Sequence, residues 1–273
     1  GDTIFVDAGT YSETVVIDTD NISLIGADSS LTIIDPTGDS SVTTLYGIYA
    51  DTQTNLKISG LRITDCYYGI NFYNVDSSVV DNVEISYCGK SGGGGYGLYM
   101  YNCDSNIIKN SAFTNNSYSV YCKLSNQNIL DNNIILYSEN TIIFFEASDY
   151  NLILSNYLYS NGGTAITLYT GCDSNYVNNN IISNSGEGMY LRTATNNIIS
   201  NNKALHTKTG RGFALNMGSN NNTFIGNYSF NSYGSGSGKG FEILGNSINN
   251  IFYQNTADSN KLYAVYIDNT SNC

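Results

Sequence analysis

Apolar residues recur in short bursts of two or three, and an asparagine stands at the head of most bursts. Asn106-Ile-Ile, Asn128-Ile-Leu, Asn151-Leu-Ile, Asn175-Tyr-Val, Asn197-Ile-Ile, Asn222-Thr-Phe and Asn250-Ile-Phe are separated by 22, 23, 24, 22, 25 and 28 residues. Two residues after each anchor stands an apolar residue: Ile108, Leu130, Ile153, Val177, Ile199, Phe224 and Phe252. Five after it stand Asn133, Asn156, Asn180, Asn202, Asn227 and Asn255, with Ser111 in the first of these repeats. A second column pairs a small residue with an apolar one, as in Gly47-Ile48, Gly69-Ile70, Gly97-Leu98, Ser119-Val120, Ala165-Ile166, Gly188-Met189, Gly212-Phe213, Gly240-Phe241 and Ala264-Val265.

A repeat of this length fits a leucine-rich repeat or a parallel β-helix. The apolar columns mix Ile, Val, Phe and Leu, and the segments run only four to six residues between asparagines. That is strand-and-turn chemistry rather than a fixed leucine framework. The predicted fold is therefore all-β, a single-stranded right-handed parallel β-helix of about ten coils of 22–28 residues, read as one domain over 1–273. With about 4.8 Å per coil, ten coils give a rod about 50 Å long. Inward side chains would stack into aliphatic ladders, and corner asparagines would stack their amides and adopt left-handed backbone.

Composition sharpens this picture. One proline, no tryptophan and 24 tyrosines, with many Asn, Ser and Thr, favour strands and turns. A net charge of −12 excludes a basic nucleic-acid footprint. No apolar run reaches the length of a membrane-spanning helix, so no membrane insertion is expected. The chain opens Gly-Asp-Thr with neither an initiator Met nor a signal peptide, which reads as a processed form or a piece of a longer chain. Neither end shows a capping element, so the ends are expected to continue or to be covered by other protomers.

The candidate chemistry is sparse. Asp76, Asp104, Asp149 and Asp173 each lie two residues before an anchor position, where a column of carboxylates could hold Ca²⁺ or build Asx turns. Asn126, Thr195 and Asn220 fill the same slot elsewhere, which favours turns. Arg192, His206, Lys208, Arg211 and Lys239 form the basic cluster of the chain, an expected interaction surface for an anionic glycan or a second protomer. The segments 88–97, 206–212 and 233–240 interrupt the repeat just before its second strand. Cys66 and Cys88 fall one coil apart, and a disulfide and a buried thiol pair both remain open. Cys103 and Cys172 lie three coils apart, and Cys122 and Cys273 lack an evident partner. These four are candidates for bridges between chains. Sequons at Asn21, Asn115, Asn221, Asn227 and Asn269 permit glycosylation and accord with an extracellular, cell-surface location. Metal ligands are sparse and no cofactor is indicated.

The opening "GDTIFVDAGTYSETVVIDTDNISLIG" resembles the first coil of pectin-lyase-like right-handed β-helices. "SNNNTFIGN" and "YGINFYN" resemble the parallel β-helix repeats of the NosD-like family and of archaeal and bacterial surface proteins. This resemblance spans nearly the whole chain and implies the fold. The strings that polygalacturonase-type members would bring (Asn-Thr-Asp, Asp-Asp, Gly-His-Gly, Arg-Ile-Lys) do not occur, and no concentration of acids suggests a Ca²⁺-dependent lyase. The leading expectation is accordingly a non-catalytic structural protein of an extracellular envelope assembly, a surface layer or sheath, with copies of itself as partners. The alternatives are a β-helix that binds or cleaves acidic polysaccharides, and a NosD-like periplasmic metal-handling accessory, for which three Met and one His are few.

Overall fold

The computed structural model describes residues 1–38, 45–89, 94–234 and 237–273. Each turn of chain contributes one strand to each of three parallel sheets, A, B and C, and the path is a right-handed solenoid. The turn built from Val79–Asp81 on sheet A, Glu84–Ser86 on sheet B and Tyr96–Tyr101 on sheet C is typical. There are eleven such turns among the described residues, where the repeat alone gives about ten. The first, with strands Thr3–Val6, Gly9–Tyr11 and Val15–Ile17, lacks the anchor asparagine. The chain divides into two compact units, Gly1–Glu139 and Asn140–Cys273. No helix among the described residues is long and apolar enough to cross a membrane.

The strands of sheets A and B are three residues long in most turns, and the middle residue points inward. In the first unit Leu24, Ile58, Val80, Ile108 and Leu130 stack in register along sheet A. Ile48, Ile70, Leu98 and Val120 do so along sheet C. In the second unit the sheet B column shrinks to Ala204, Ser229 and Ala257, and phenylalanines use the space. Phe213 stacks on Phe241 at 5.0 Å and Phe224 on Phe252 at 4.8 Å, with the two pairs meeting edge to face. Small residues on one wall and large ones on the others keep the interior filled. The small column of sheet C has a steric cause as well. A Cβ at Gly188 would collide with the Gly212 carbonyl, and one at Gly69 with the Gly97 carbonyl and Ile85.

From the third turn onward the corner between sheets A and B is two residues, the first with positive φ and the second turned inward, whereas the second turn places five residues, 27–31, there. Asn132-Asn133, Asn179-Asn180 and Asn201-Asn202 show the division of labour. Asn179 has φ of 57°, whereas Asn180 is fully buried. The expectation that one asparagine does both jobs is thus refined: the anchors are interior, and the residue before each takes the left-handed conformation. Interior amides form continuous ladders. The Asn175 N–H donates to Asn197 Oδ1 at 2.9 Å, and its Nδ2 donates to the same oxygen at 3.0 Å and to the Ser148 carbonyl at 3.0 Å. Asn197 repeats this toward Asn222, and Asn222 toward Asn250. A second ladder runs through Asn156, Asn180, Asn202, Asn227 and Asn255. In the first unit Asn106 bonds to Asn128 and Ser111 to Asn133.

The cysteines require corrections. Cys103, Cys122 and Cys172 are fully buried. Cys103 and Cys172 occupy the inward position after the sheet C strand, the slot held by Ser125 and Ala194 in other turns. They cannot reach another chain, so of the four candidates for intermolecular bridges only the exposed Cys273 keeps that geometry. Cys66 and Cys88 are buried thiols with Sγ atoms 2.9 Å apart. The Cys88 thiol and burial push the Cys66 thiol well above its ordinary range. Asn227 is likewise no acceptor for a glycan: it is 1% exposed and bonded within the ladder. Asn21, Asn221 and Asn269 are exposed and Asn115 half-buried.

Asn197→Ala is expected to cost about 3 kcal/mol, because two donors of Asn175 lose their acceptor inside the corner. Asn196→Ala, on the exposed left-handed position next to it, is expected to cost about 1 kcal/mol. Urea unfolding of both variants checks the difference. Burial raises the thiols of Cys103 and Cys172 to about 12. Folded and unfolded chains both keep these protons below pH 9, so the contribution is full there. As pH rises toward 12 the unfolded chain loses them first and stability falls, by about 1.4 kcal/mol per pH unit for each thiol. Urea midpoints should drop between pH 9 and 11, with a shallower slope in Cys172→Ala.

Candidate functional site

Sheet C is the wide face of each turn, with strands of up to six residues. Their burial pattern turns the first, fourth and sixth residues outward. In the second unit this register sets three outward columns. Glu187, Arg211 and Lys239 follow one another in the first, aligned by the bonds from the Gly188 N–H to the Arg211 carbonyl and from the Gly212 N–H to the Lys239 carbonyl. Tyr190, Ala214, Glu242 and Tyr266 form the second. Tyr169, Arg192 and Asn216 belong to the third.

These columns meet in one ionic cluster. Arg211 Nε lies 2.5 Å from Glu242 Oε2 and its Nη1 3.0 Å from Glu187 Oε1. Lys239 Nζ bonds to the other oxygen of Glu242 and sits 4.2 Å from the centre of the Tyr266 ring. The guanidinium lies 6.0 Å from the centre of the Tyr190 ring. Glu242 is 3% exposed, a carboxylate held under water-excluding neighbours by two cations. Glu187 and Arg211 are more open, so their bond is the exchangeable one.

Arg192 differs from both. No carboxylate stands within ion-pair distance of it among the described residues. Its Nη1 donates to the Tyr169 hydroxyl at 2.6 Å and its Nε to Met217 Sδ at 3.0 Å, and the guanidinium lies 4.9 Å from the centre of the Tyr169 ring. The tyrosine fixes the side chain without neutralising it. A planar, always-charged fork held this way suits a carboxylate arriving from solvent.

Of the five basic residues singled out from the sequence, the structure joins Arg211 and Lys239 through Glu242 and keeps Arg192 on the same sheet. His206 and Lys208 stand apart from the cluster, on the corner before sheet C. His206 has φ of 56°, in line with the corner residues Asn184 and Asn231, packs against Phe230 and accepts the Asn231 amide at Nδ1, 2.9 Å away. Its role is that of a corner residue. Lys208 is exposed. The described parts of segments 88–97, 206–212 and 233–240 precede sheet C strands, while residues 90–93 and 235–236 lie outside the described residues. Glu187, Glu242, Tyr169, Tyr190 and Tyr266 surround these basic residues and were passed over by residue-type arguments. The signal was present, because Glu187, Arg211 and Lys239 each directly precede the small residue of the second column.

The acidic column behaves as turn chemistry. Asp76 Oδ1 accepts the Asp104 N–H, Asp104 Oδ1 the Asn126 N–H and Asp149 Oδ1 the Asp173 N–H, all at 2.7 Å. No group of metal-ligating side chains occurs among the described residues.

The family model described as "right handed beta helix region" matches residues 46–204, more than half of the chain. The chain belongs to the right-handed β-helix family. No curated protein matches it by sequence. Among solved structures it is similar to the A-module of the Azotobacter vinelandii mannuronan C-5 epimerase AlgE6, with a TM-score of 0.76 at 12% identity over 99% of this chain and 90% of that one. It is similar to the periplasmic alginate epimerase AlgG, with a TM-score of 0.64 at 16% identity over 97% and 66%. A hyperthermoactive exopolygalacturonase from Thermotoga maritima gives 0.60 at 11% over 89% and 72%. At such identities the likeness carries the fold and not a substrate. It does overturn the expectation of a non-catalytic envelope component: the similar chains are named as two epimerases and a polygalacturonase. The absence of the polygalacturonase-type strings therefore excluded one member's machinery and not catalysis on this fold.

Glu242→Gln is expected to destabilise the chain by about 2 kcal/mol, since a nearly buried carboxylate that holds two cations is lost. Glu187→Gln, at the open end of the same cluster, is expected to cost less than about 1 kcal/mol. Urea unfolding of the pair checks the order.

Proposed function

We propose that this β-helix acts on an acidic polysaccharide bound along sheet C of the second unit, outside the cytoplasm. The observation that carries this reading is Arg192, an unneutralised guanidinium presented on a tyrosine shelf of the wide face. With Nε on Met217 Sδ and Nη1 on Tyr169, a sugar carboxylate would meet Nη2 and the remaining N–H of Nη1. Arg211 offers a second contact by exchanging Glu187 for the substrate, while the buried Glu242 keeps Arg211 and Lys239 in place. Tyr190 and Tyr266 stand beside these cations as ring and hydroxyl contacts for the sugar. The net charge of −12 makes the field around the chain unfavourable to a polyanion in general. Binding is then confined to the few places where cations gather, which favours a local, sequence-encoded site over diffuse attraction. The epimerase and hydrolase names among the similar structures support a modifying role over a purely adhesive one, and the periplasmic one supports an exported location.

The test is a panel of mannuronan, alginate and polygalacturonate with neutral glycans as comparators. Binding is followed by affinity electrophoresis, and epimerisation or chain cleavage by proton NMR. Arg192→Ala is expected to weaken acidic-glycan binding at least tenfold, about 1.4 kcal/mol, and added salt to weaken it further. Arg192→Lys should restore only part, because an ammonium lacks the fork. A folded chain that neither binds nor alters any acidic glycan overturns the proposal.

A further inference from the structure

The outward side of sheet C in the first unit is built differently, from tyrosine. Tyr46, Tyr68, Tyr96 and Tyr118 follow one another in register, with ring centres 5.1–5.7 Å apart and planes within 30°. Beside them runs Tyr49, Asn71, Tyr99 and Tyr121, where Tyr99 and Tyr121 stack at 5.4 Å with planes 1° apart. Tyr73 and Tyr101 stack at 4.7 Å along the margin. Contacts between neighbouring columns, such as Tyr68 edge-on to Tyr99 at 5.5 Å, lock the rings into one sheet of phenols.

Asn71 breaks the middle column. An amide stands where the turns on either side carry a ring, between Tyr49 and Tyr99. Its side chain is on the outward side, since Ile70 and Phe72 fill the core, yet it is only 8% exposed because the taller tyrosines wall it in. Its Oδ1 is buried and has no hydrogen-bond partner. A buried acceptor without a donor is unfavourable. With the core closed behind it, the donor must come from the outer side of the pavement.

We infer that this tyrosine pavement binds the uncharged sugar residues of a glycan, with Asn71 Oδ1 accepting a bond from one sugar hydroxyl. Ring edges and phenol hydroxyls offer apolar contact together with donors and acceptors, which is the mixed chemistry of a pyranose. The pavement repeats once per coil, about 4.8 Å, close to the length of one pyranose in an extended chain. Mutual stacking already fixes the rings, so little side-chain freedom is lost on binding. Burial pushes the Tyr96 hydroxyl up to about 12, so it stays a neutral donor at physiological pH. The charges in these columns are marginal: Asp51 and Lys123 occupy the third column, and Asp51 already bonds to the Tyr49 hydroxyl and Asn74. A carboxylated sugar finds no fork here comparable to Arg192. The inference does not rest on the acidic-glycan site of the second unit, and either can fail without the other.

The test is calorimetric titration of the whole chain with neutral hexasaccharides built from glucose, xylose and mannose, beside an alginate hexasaccharide. At least one neutral sugar is expected to bind and to change tyrosine fluorescence. Asn71→Leu should weaken that binding at least tenfold while leaving the melting temperature equal or higher, since it removes the unpaired acceptor. Tyr99→Ala should weaken it as well, and Arg192→Ala should leave it unchanged. Should Tyr99→Ala misfold, Asn71→Leu alone decides. No neutral sugar bound at millimolar concentration, unchanged binding by Asn71→Leu, or a self-association in sedimentation that Tyr99→Ala abolishes would each overturn the inference.

Discussion

A chain that turns three corners per coil must find partners for every backbone N–H it buries there, and the asparagine amide is what makes this possible. It accepts from the N–H of the preceding turn and donates to a carbonyl of that same turn, so identical residues can be stacked without a terminus. Aspartate cannot donate and serine reaches less far. Serine accordingly appears where a ladder is interrupted, as at Ser78 and Ser111. From this follow the two-residue A–B corner, the left-handed residue before each rung and the near-constant repeat. The apolar ladders fill the interior, but the amides decide where each coil must bend.

That constraint also explains which parts of the molecule were legible in the sequence. A ladder needs the same residue at the same place in every turn, so Asn175, Asn197 and Asn222 announce the fold on their own. A surface cluster is not subject to repetition, and that of Glu187, Arg211, Lys239 and Glu242 mixes residue types across three turns. Reading it requires the strand register first and the columns afterwards. His206 misled for the opposite reason: a rare residue draws notice, whereas its place is that of Asn184 and Asn231. Cys103 and Cys172 were ambiguous because turn residues and core residues alternate at the C–A corner, and sequence spacing alone does not say which of two neighbours faces in.

The three faces divide the work. Sheets A and B are narrow and close tightly. Sheet C is broad and presents unlike chemistry in the two units, uncharged phenols in the first and paired ions in the second. Both surfaces are fixed by packing below them, through the glycine column and the aromatic pairs, so the side chains above stand on a stiff base.

The corner between sheets B and C is where the repeat is loosest, with three to eleven residues between strands against two between A and B from the third turn onward. Chain length is thereby uncoupled from coil geometry chiefly at this joint, next to the outward face of sheet C. Segments can be lengthened, exchanged or grafted at that joint without shifting a rung of either asparagine ladder. The scaffold can in this way acquire new loop chemistry while its folding code is left alone.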